Sequence, residues 1–138
     1  SADLILRSSH GIWFFVRAQD LAAHSTIFSA AEERSSPVRR AMTPKGTDDS
    51  PLDIVDVTES SETLQLLLQF MRRQPQPNVA EMDFATLERL AEAAEKYEVY
   101  SATQLLKFAM RSFAKDYPSK VLLYASRHGY TDLAIDAA

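Results

Sequence analysis

Two short apolar runs near the start of the chain constrain its fold most. Leu4-Ile5-Leu6 and Ile12-Trp13-Phe14-Phe15-Val16 flank Ser8-Ser9-His10-Gly11, with a glycine where a turn takes positive φ. Aromatic and β-branched runs around such a turn predict a β-hairpin. Ile12, Phe14 and Val16 share one face of the second strand, and Trp13 and Phe15 share the other. Both faces are apolar, so this strand is expected to be covered on both sides. One further stretch, Leu52-Asp53-Ile54-Val55-Asp56-Val57, alternates like a strand. The remaining periodicity is helical. Strands and helices do not alternate regularly, which predicts an α+β fold: a small β-sheet flanked by a cluster of α-helices.

The helices are placed by their apolar spacing and their caps. Leu21, Ile27, Phe28 and Ala31 suit helix between Gln19 and Ala31, with Ser25 capping a second short helix. Glu32 to Ser50 reads as one long loop, with Pro37, Pro44 and Gly46. A loop of that length is functional or disordered. The cluster Thr58 to Ser61 caps a helix with Leu64, Leu67, Leu68 and Met71, ended by Gln74 to Asn78. Asp83 caps the next, whose apolar face is Phe84, Leu87, Leu90, Ala91, Ala94 and Tyr97. Ser101 and Gln104 read as a capping box for a helix with Leu105, Leu106, Phe108, Ala109 and Phe113. Asp116 and Pro118 open another, closed by Gly129, and Thr131 and Asp132 start the last.

Composition excludes several chemistries. Without cysteine there is no disulfide, zinc-thiolate site or cysteine nucleophile. Three glycines are too few for a phosphate-cradling loop. A net charge of −4 argues against direct nucleic-acid binding. No apolar run approaches the roughly 20 residues of a membrane span, and no signal peptide is visible. The 138 residues suit one intracellular domain, cytoplasmic or nuclear, and the blunt ends read as cut from a longer chain. His10, His24 and His128 are scattered, so no metal site is expected. Ser25 beside His24 is no catalytic dyad, because adjacent helical residues diverge. Glu88, Glu92, Glu95 and Lys96, with Glu92 and Lys96 as an i,i+4 pair, read as a solvated face. No catalytic residue, cofactor or metal ligand is assigned, and an enzyme is not expected.

Several strings, in order, resemble the BTB/POZ domain, with spacing most like fungal members. They are Ala2-Asp3-Leu4-Ile5-Leu6, Gly11-x-x-Phe14-x-Val16, Leu21-x-x-x-Ser25-x-x-Phe28, Val55-Asp56-Val57-Thr58, Ser61-Glu62-Thr63-Leu64-x-x-Leu67-Leu68-x-Phe70 and Leu90-Ala91-x-Ala93-Ala94-x-Lys96-Tyr97. The resemblance implies a BTB/POZ domain over 1–115. Residues 116–138 resemble the start of the helical box that follows it in cullin adaptors. It further implies a protein-interaction module without enzymatic activity: a dimerising adaptor that recruits a cullin-type ubiquitin ligase scaffold. The alternative is a self-association domain of a transcriptional or other regulatory protein without cullin binding.

Three departures from the family pattern bear on this. Arg17-Ala18 stands where a histidine and a basic residue are usual, so the charged pocket that Asp3 would share at a dimer interface lacks a partner unless Arg17 substitutes. The extra helix and strand that precede the domain in long dimer forms have no counterpart before Leu4. Ser29-Ala30-Ala31 replaces the usual Met-Phe.

The resemblance places the partner surface on Ser25, Ile27 and Phe28, on the Pro75–Pro77 segment, and on Phe84 at the helix after Asp83. Phe28 is either a core residue spaced from Leu21 or the aromatic anchor of a docking groove. Asp3, Trp13, Arg17 and Leu21 are the candidate dimer interface. Trp13 itself is read first as a sheet residue under a helix, and second as an exposed interface aromatic. Thr43-Pro44, downstream of Arg39-Arg40, is a candidate phosphorylation site within an otherwise solvated loop.

Overall fold

A computed structural model describes residues 2–34, 52–72 and 74–138. Strands β1 (Leu4–Arg7) and β2 (Trp13–Val16) are followed by helices α1 (Ala18–His24) and α2 (Thr26–Arg34). Strand β3 (Asp53–Asp56) then precedes α3 (Ser61–Gln69), a single 3-10 turn (Val79–Glu81), α4 (Phe84–Lys96) and α5 (Tyr100–Arg111). Two helices, α6 (Pro118–Arg127) and α7 (Thr131–Ala137), end the chain. The fold is α+β, with a three-stranded sheet and seven α-helices among the described residues.

The sheet order is β2-β1-β3. β1 and β2 form the antiparallel hairpin expected around Gly11, whose φ is +82°. β3 lies parallel to β1, with Ile54 opposite Ile5 and Asp56 opposite Arg7. A parallel neighbour requires a crossover, and the chain between β2 and β3 supplies it.

Leu6 and Val16 point from the sheet into the core, whereas Ile5, Trp13 and Phe15 do not join it. This corrects the expected double cover of β2: Trp13 is 48% and Phe15 56% exposed. The helical cluster takes its sheet contacts from one face, so the alternate residues of β2 are left to solvent. β3 is exposed along its whole length, and the first residue after it, Val57, enters the core.

The helices pack through the faces their spacing predicts. Leu64, Leu67, Leu68 and Met71 of the α3 region meet Leu87, Leu90 and Ala94 of α4 in one buried cluster. Leu106, Met110, Val121, Ala125 and Leu133 extend it through α5, α6 and α7, so the C-terminal helices share that core. Side-chain caps hold the N-termini of α3 and α4: Ser60 accepts from the Thr63 N–H and Asp83 from the Thr86 N–H, each at 3.2 Å.

Other boundaries differ from expectation. α5 begins at Tyr100, so Ser101 sits inside its first turn and no capping box forms; Val99 is the cap residue and makes no side-chain bond. The tight turn at Glu98, with φ +52°, starts the helix two residues earlier. Phe108 of α5 faces solvent, 71% exposed, rather than the core. Asp116 does not cap α6, where Pro118 at the first position follows Tyr117. Gly129 closes α6 as expected with φ +75°, and the Tyr130 N–H reaches the Ala125 carbonyl at 2.8 Å. Helix α2 continues to Arg34, so Glu32 to Arg34 are helical rather than loop. The Thr43-Pro44 motif lies outside the described residues.

Candidate functional site

The short break between α1 and α2 positions the first group of expected partner residues. Ser25 is buried there: its Oγ donates to the Tyr97 carbonyl and accepts from the Phe28 N–H at 3.2 Å. Ser25 is therefore a structural cap and not a partner contact. Phe28 is half-buried because its ring stacks on Tyr97, with centroids 5.3 Å apart. Ile27, one residue earlier on α2, is 41% exposed.

Tyr97 is the hub of this region. Its hydroxyl donates to Glu59 at 2.6 Å, and Lys96 Nζ donates to the same carboxylate at 3.0 Å. Only a tenth of the Glu59 side chain is exposed. Burial pushes the Glu59 carboxyl up, but the bonds from Tyr97 and Lys96 outweigh it and hold the group below the usual carboxylate range. Burial and the neighbouring Glu59 push the Tyr97 hydroxyl well above the ordinary phenol range.

Phe84 is not part of that surface. It is 5% exposed, stacked on Tyr117 with centroids 4.2 Å apart and edge-on to Phe113 at 5.3 Å. This corrects its assignment as a partner contact. Phe84 begins α4 and Tyr97 caps its other end, so Phe28 and Phe84 are separated by a 13-residue helix, about 20 Å long. Pro75 is exposed and Pro77 half-buried on the connection before α4.

The expected dimer residues also divide. Leu21 is 1% exposed and belongs to the core, so it offers no surface to a second copy. Asp3 is exposed, but its carboxylate accepts the Ala18 N–H at 2.8 Å and caps α1. Arg17 is exposed, and among the described residues no ion pair joins it to Asp3. Trp13 is open to solvent, against its first reading as a residue under a helix, and meets Phe15 edge-on at 6.3 Å.

Trp13, one of the expected dimer residues, sits in a surface whose other members the sequence reading did not assign. Trp13, Phe15, Ile5 and Ile54 project from the outer sheet face, with Ile5 flanked in register by Phe15 and Ile54. Ile54 is 38% exposed. Arg7 and Asp56 border this face as an ion pair across neighbouring strands. Arg72 donates to the Phe15 carbonyl at 2.9 Å. The signal was present in the sequence as apolar residues on both faces of β2. It was misread because a second cover was assumed.

The acidic face of α4 is likewise not a solvated one. Glu92 pairs with Arg127 and His128, and Glu95 accepts the hydroxyls of Tyr124 and Tyr130. Lys96 pairs with Glu59 instead of Glu92. The donors come from α6 and the turn after it, 29 to 36 residues away, where no local spacing rule reaches.

Among the described residues, no group of three or more histidine, aspartate or glutamate side chains is arranged to hold a metal. No helix among them is long and apolar enough to cross a membrane. The sequence matches no protein-family model, and no curated protein matches it.

Proposed function

We propose that this chain is a protein-interaction module of the BTB/POZ kind, a self-associating adaptor that recruits a cullin-type ubiquitin ligase scaffold. The observation that supports it best is the outer sheet face, where Trp13 and Phe15 stand about half exposed on the side that also carries Ile54. Burying large aromatics of this kind stabilises association by about 1–2 kcal/mol each. Arg7 and Asp56 neutralise one another beside it, so a second copy meets an apolar surface without net charge. Ile27, exposed on α2 beside Phe28, supplies the apolar contact for a scaffold helix.

Light scattering over a concentration series tests self-association. The wild-type mass should rise towards twice 15.5 kDa, and the Trp13→Ser/Phe15→Ser variant should stay monomeric. A wild-type mass that stays monomeric throughout sinks the self-association. Calorimetry with the N-terminal helical domain of a cullin tests recruitment. Binding near micromolar, about 8 kcal/mol, that weakens in an Ile27→Asp variant supports the adaptor. No heat from a folded domain removes the cullin.

A further inference from the structure

A cleft of about 450 Å³ lies between β2 and α3, on the helical side of the sheet. β2 is the outermost strand, paired with β1 on one side. The Ser8 N–H meets the Ile12 carbonyl at 2.9 Å, so the alternation of an antiparallel ladder turns the backbone groups of Ile12 and Phe14 to β1. Those of Trp13 and Phe15 turn outward, and among the described residues no strand takes them. Ser61, Gln65 and Gln69 stand one helical turn apart along the α3 wall, and Ile12, 50% exposed, and Phe14 form the strand wall. The nine residues of α3 span about 14 Å, the length of about four residues of extended chain.

Arg72 is the one charged side chain among the described residues of this lining. It is half-buried, and its guanidinium donates to the outward Phe15 carbonyl at 2.9 Å, which fixes it at the strand edge. Among the described residues no carboxylate pairs with it. The two carboxylates beside the start of α3 are engaged elsewhere: Glu59 holds Lys96 and Tyr97, and Glu62 turns to Arg89 of α4 at 3.5 Å. The cleft therefore joins a wall of amides and a hydroxyl to one cation whose remaining N–H groups have no anion.

We propose that this cleft seats an extended acidic segment of a partner protein, its backbone beside the open edge of β2 and one side-chain carboxylate on Arg72. Charge complementarity selects this occupant. An entering carboxylate meets an oriented guanidinium and no like charge in the lining, whereas an entering cation meets Arg72 with no carboxylate to offset it. The glutamine amides each offer a donor and an acceptor, which suits peptide groups. Trp13 leaves its own N–H and carbonyl at the strand edge for the same purpose. The cleft opens on the side of the sheet opposite the Trp13 and Phe15 side chains, so the inference does not depend on how copies of the chain associate.

The test uses the whole chain and a fluorescein-labelled, C-terminally amidated peptide of alternating threonine and valine with one central glutamate. Copies with central glutamine or lysine are the controls, with a further glutamine copy that ends in a free carboxylate. Fluorescence anisotropy should show the glutamate peptide binding at least tenfold more tightly than each of the three. Arg72→Gln should remove that preference. Gln65→Glu should weaken the glutamate peptide at least fivefold, because it puts a carboxylate beside Arg72. If Arg72→Gln loses its fold by circular dichroism, Gln65→Glu decides, since that side chain is exposed on α3. Equal binding of the glutamate and glutamine peptides, tighter binding of the lysine or free-carboxylate copy, a preference that the folded variants leave unchanged, or no binding at millimolar peptide overturns the proposal.

Discussion

The ring of Phe28 lies on the ring of Tyr97, with centroids 5.3 Å apart and planes inclined by 19°. This contact joins α2 to the end of α4. The Tyr97 hydroxyl carries the connection on to Glu59, between β3 and α3. Three segments far apart in sequence therefore meet at one side chain.

Tyr97→Phe should keep the stacking and remove one donor from the nearly buried Glu59. Loss of a hydrogen bond to a charged, poorly solvated group costs about 1–3 kcal/mol. Urea unfolding should show that loss, with an unchanged denaturant dependence. Tyr97→Ala should cost more, because it also removes the stacking partner of Phe28.

The same network predicts an acid sensitivity. The Glu59 carboxyl is held below its ordinary range in the folded chain. Its contribution to stability is therefore present above about pH 4.3, the unfolded value, and is lost as pH falls through the folded value. Glu59→Gln should flatten the acid limb of a stability-against-pH curve. An unchanged limb in that variant would show that the network does not govern acid stability.

Asp132 offers a second titration. Hydrogen bonds from Arg111 at 2.7 Å and from Lys107 hold its carboxyl down at about 2. Carbon-detected NMR should find it ionised through pH 3, and Arg111→Ala should move its midpoint up towards the ordinary aspartate value. Linkage has the same sign as for Glu59, with the stabilisation lost as pH falls towards 2.

Gly129 sits at φ +75°, and a Cβ placed there meets nothing within 4 Å. Gly129→Ala should therefore cost only the backbone penalty of a left-handed residue, about 1–2 kcal/mol, and Gly129→Asn less. Thermal unfolding of the pair checks this. A larger loss in the alanine variant would point to a contact beyond the backbone.

Leu90 and Leu106 are fully buried in the shared core. Either leucine changed to alanine should destabilise by about 2–5 kcal/mol through lost burial and a residual cavity. Phe108→Ala, on the exposed side of α5, should stay within about 0.5 kcal/mol, although the spacing rule had placed Phe108 with the core. Chemical denaturation of the three variants separates the two sides of the helix.

Local pattern was enough for much of the fold. The hairpin at Gly11, the caps at Ser60 and Asp83, the apolar faces of α3 and α4 and the end of α6 at Gly129 all follow from neighbours within a few residues. The same reading failed where two local devices competed. The turn at Glu98 started α5 before the Ser101 box could act.

The candidate surfaces were less legible. Of the expected partner residues, Ile27 and Pro75 stand exposed, Phe28 and Pro77 are half-buried, and Ser25 and Phe84 are buried. Among the expected dimer residues Trp13 is open to solvent and Leu21 is core.

By itself the sequence determined the elements: a hairpin, one further strand and a succession of amphipathic helices, because each is set by periodicity and caps within a few residues. Tertiary structure alone decided which apolar residues remain outside. It left Trp13 and Phe15 in solvent because the helical cluster takes residues from only one face of the sheet. It also turned Glu92 and Glu95 from an apparent solvated stripe into partners of α6 and the turn beyond it. Burial depends on what packs against a side chain, and that partner comes from a distant part of the chain.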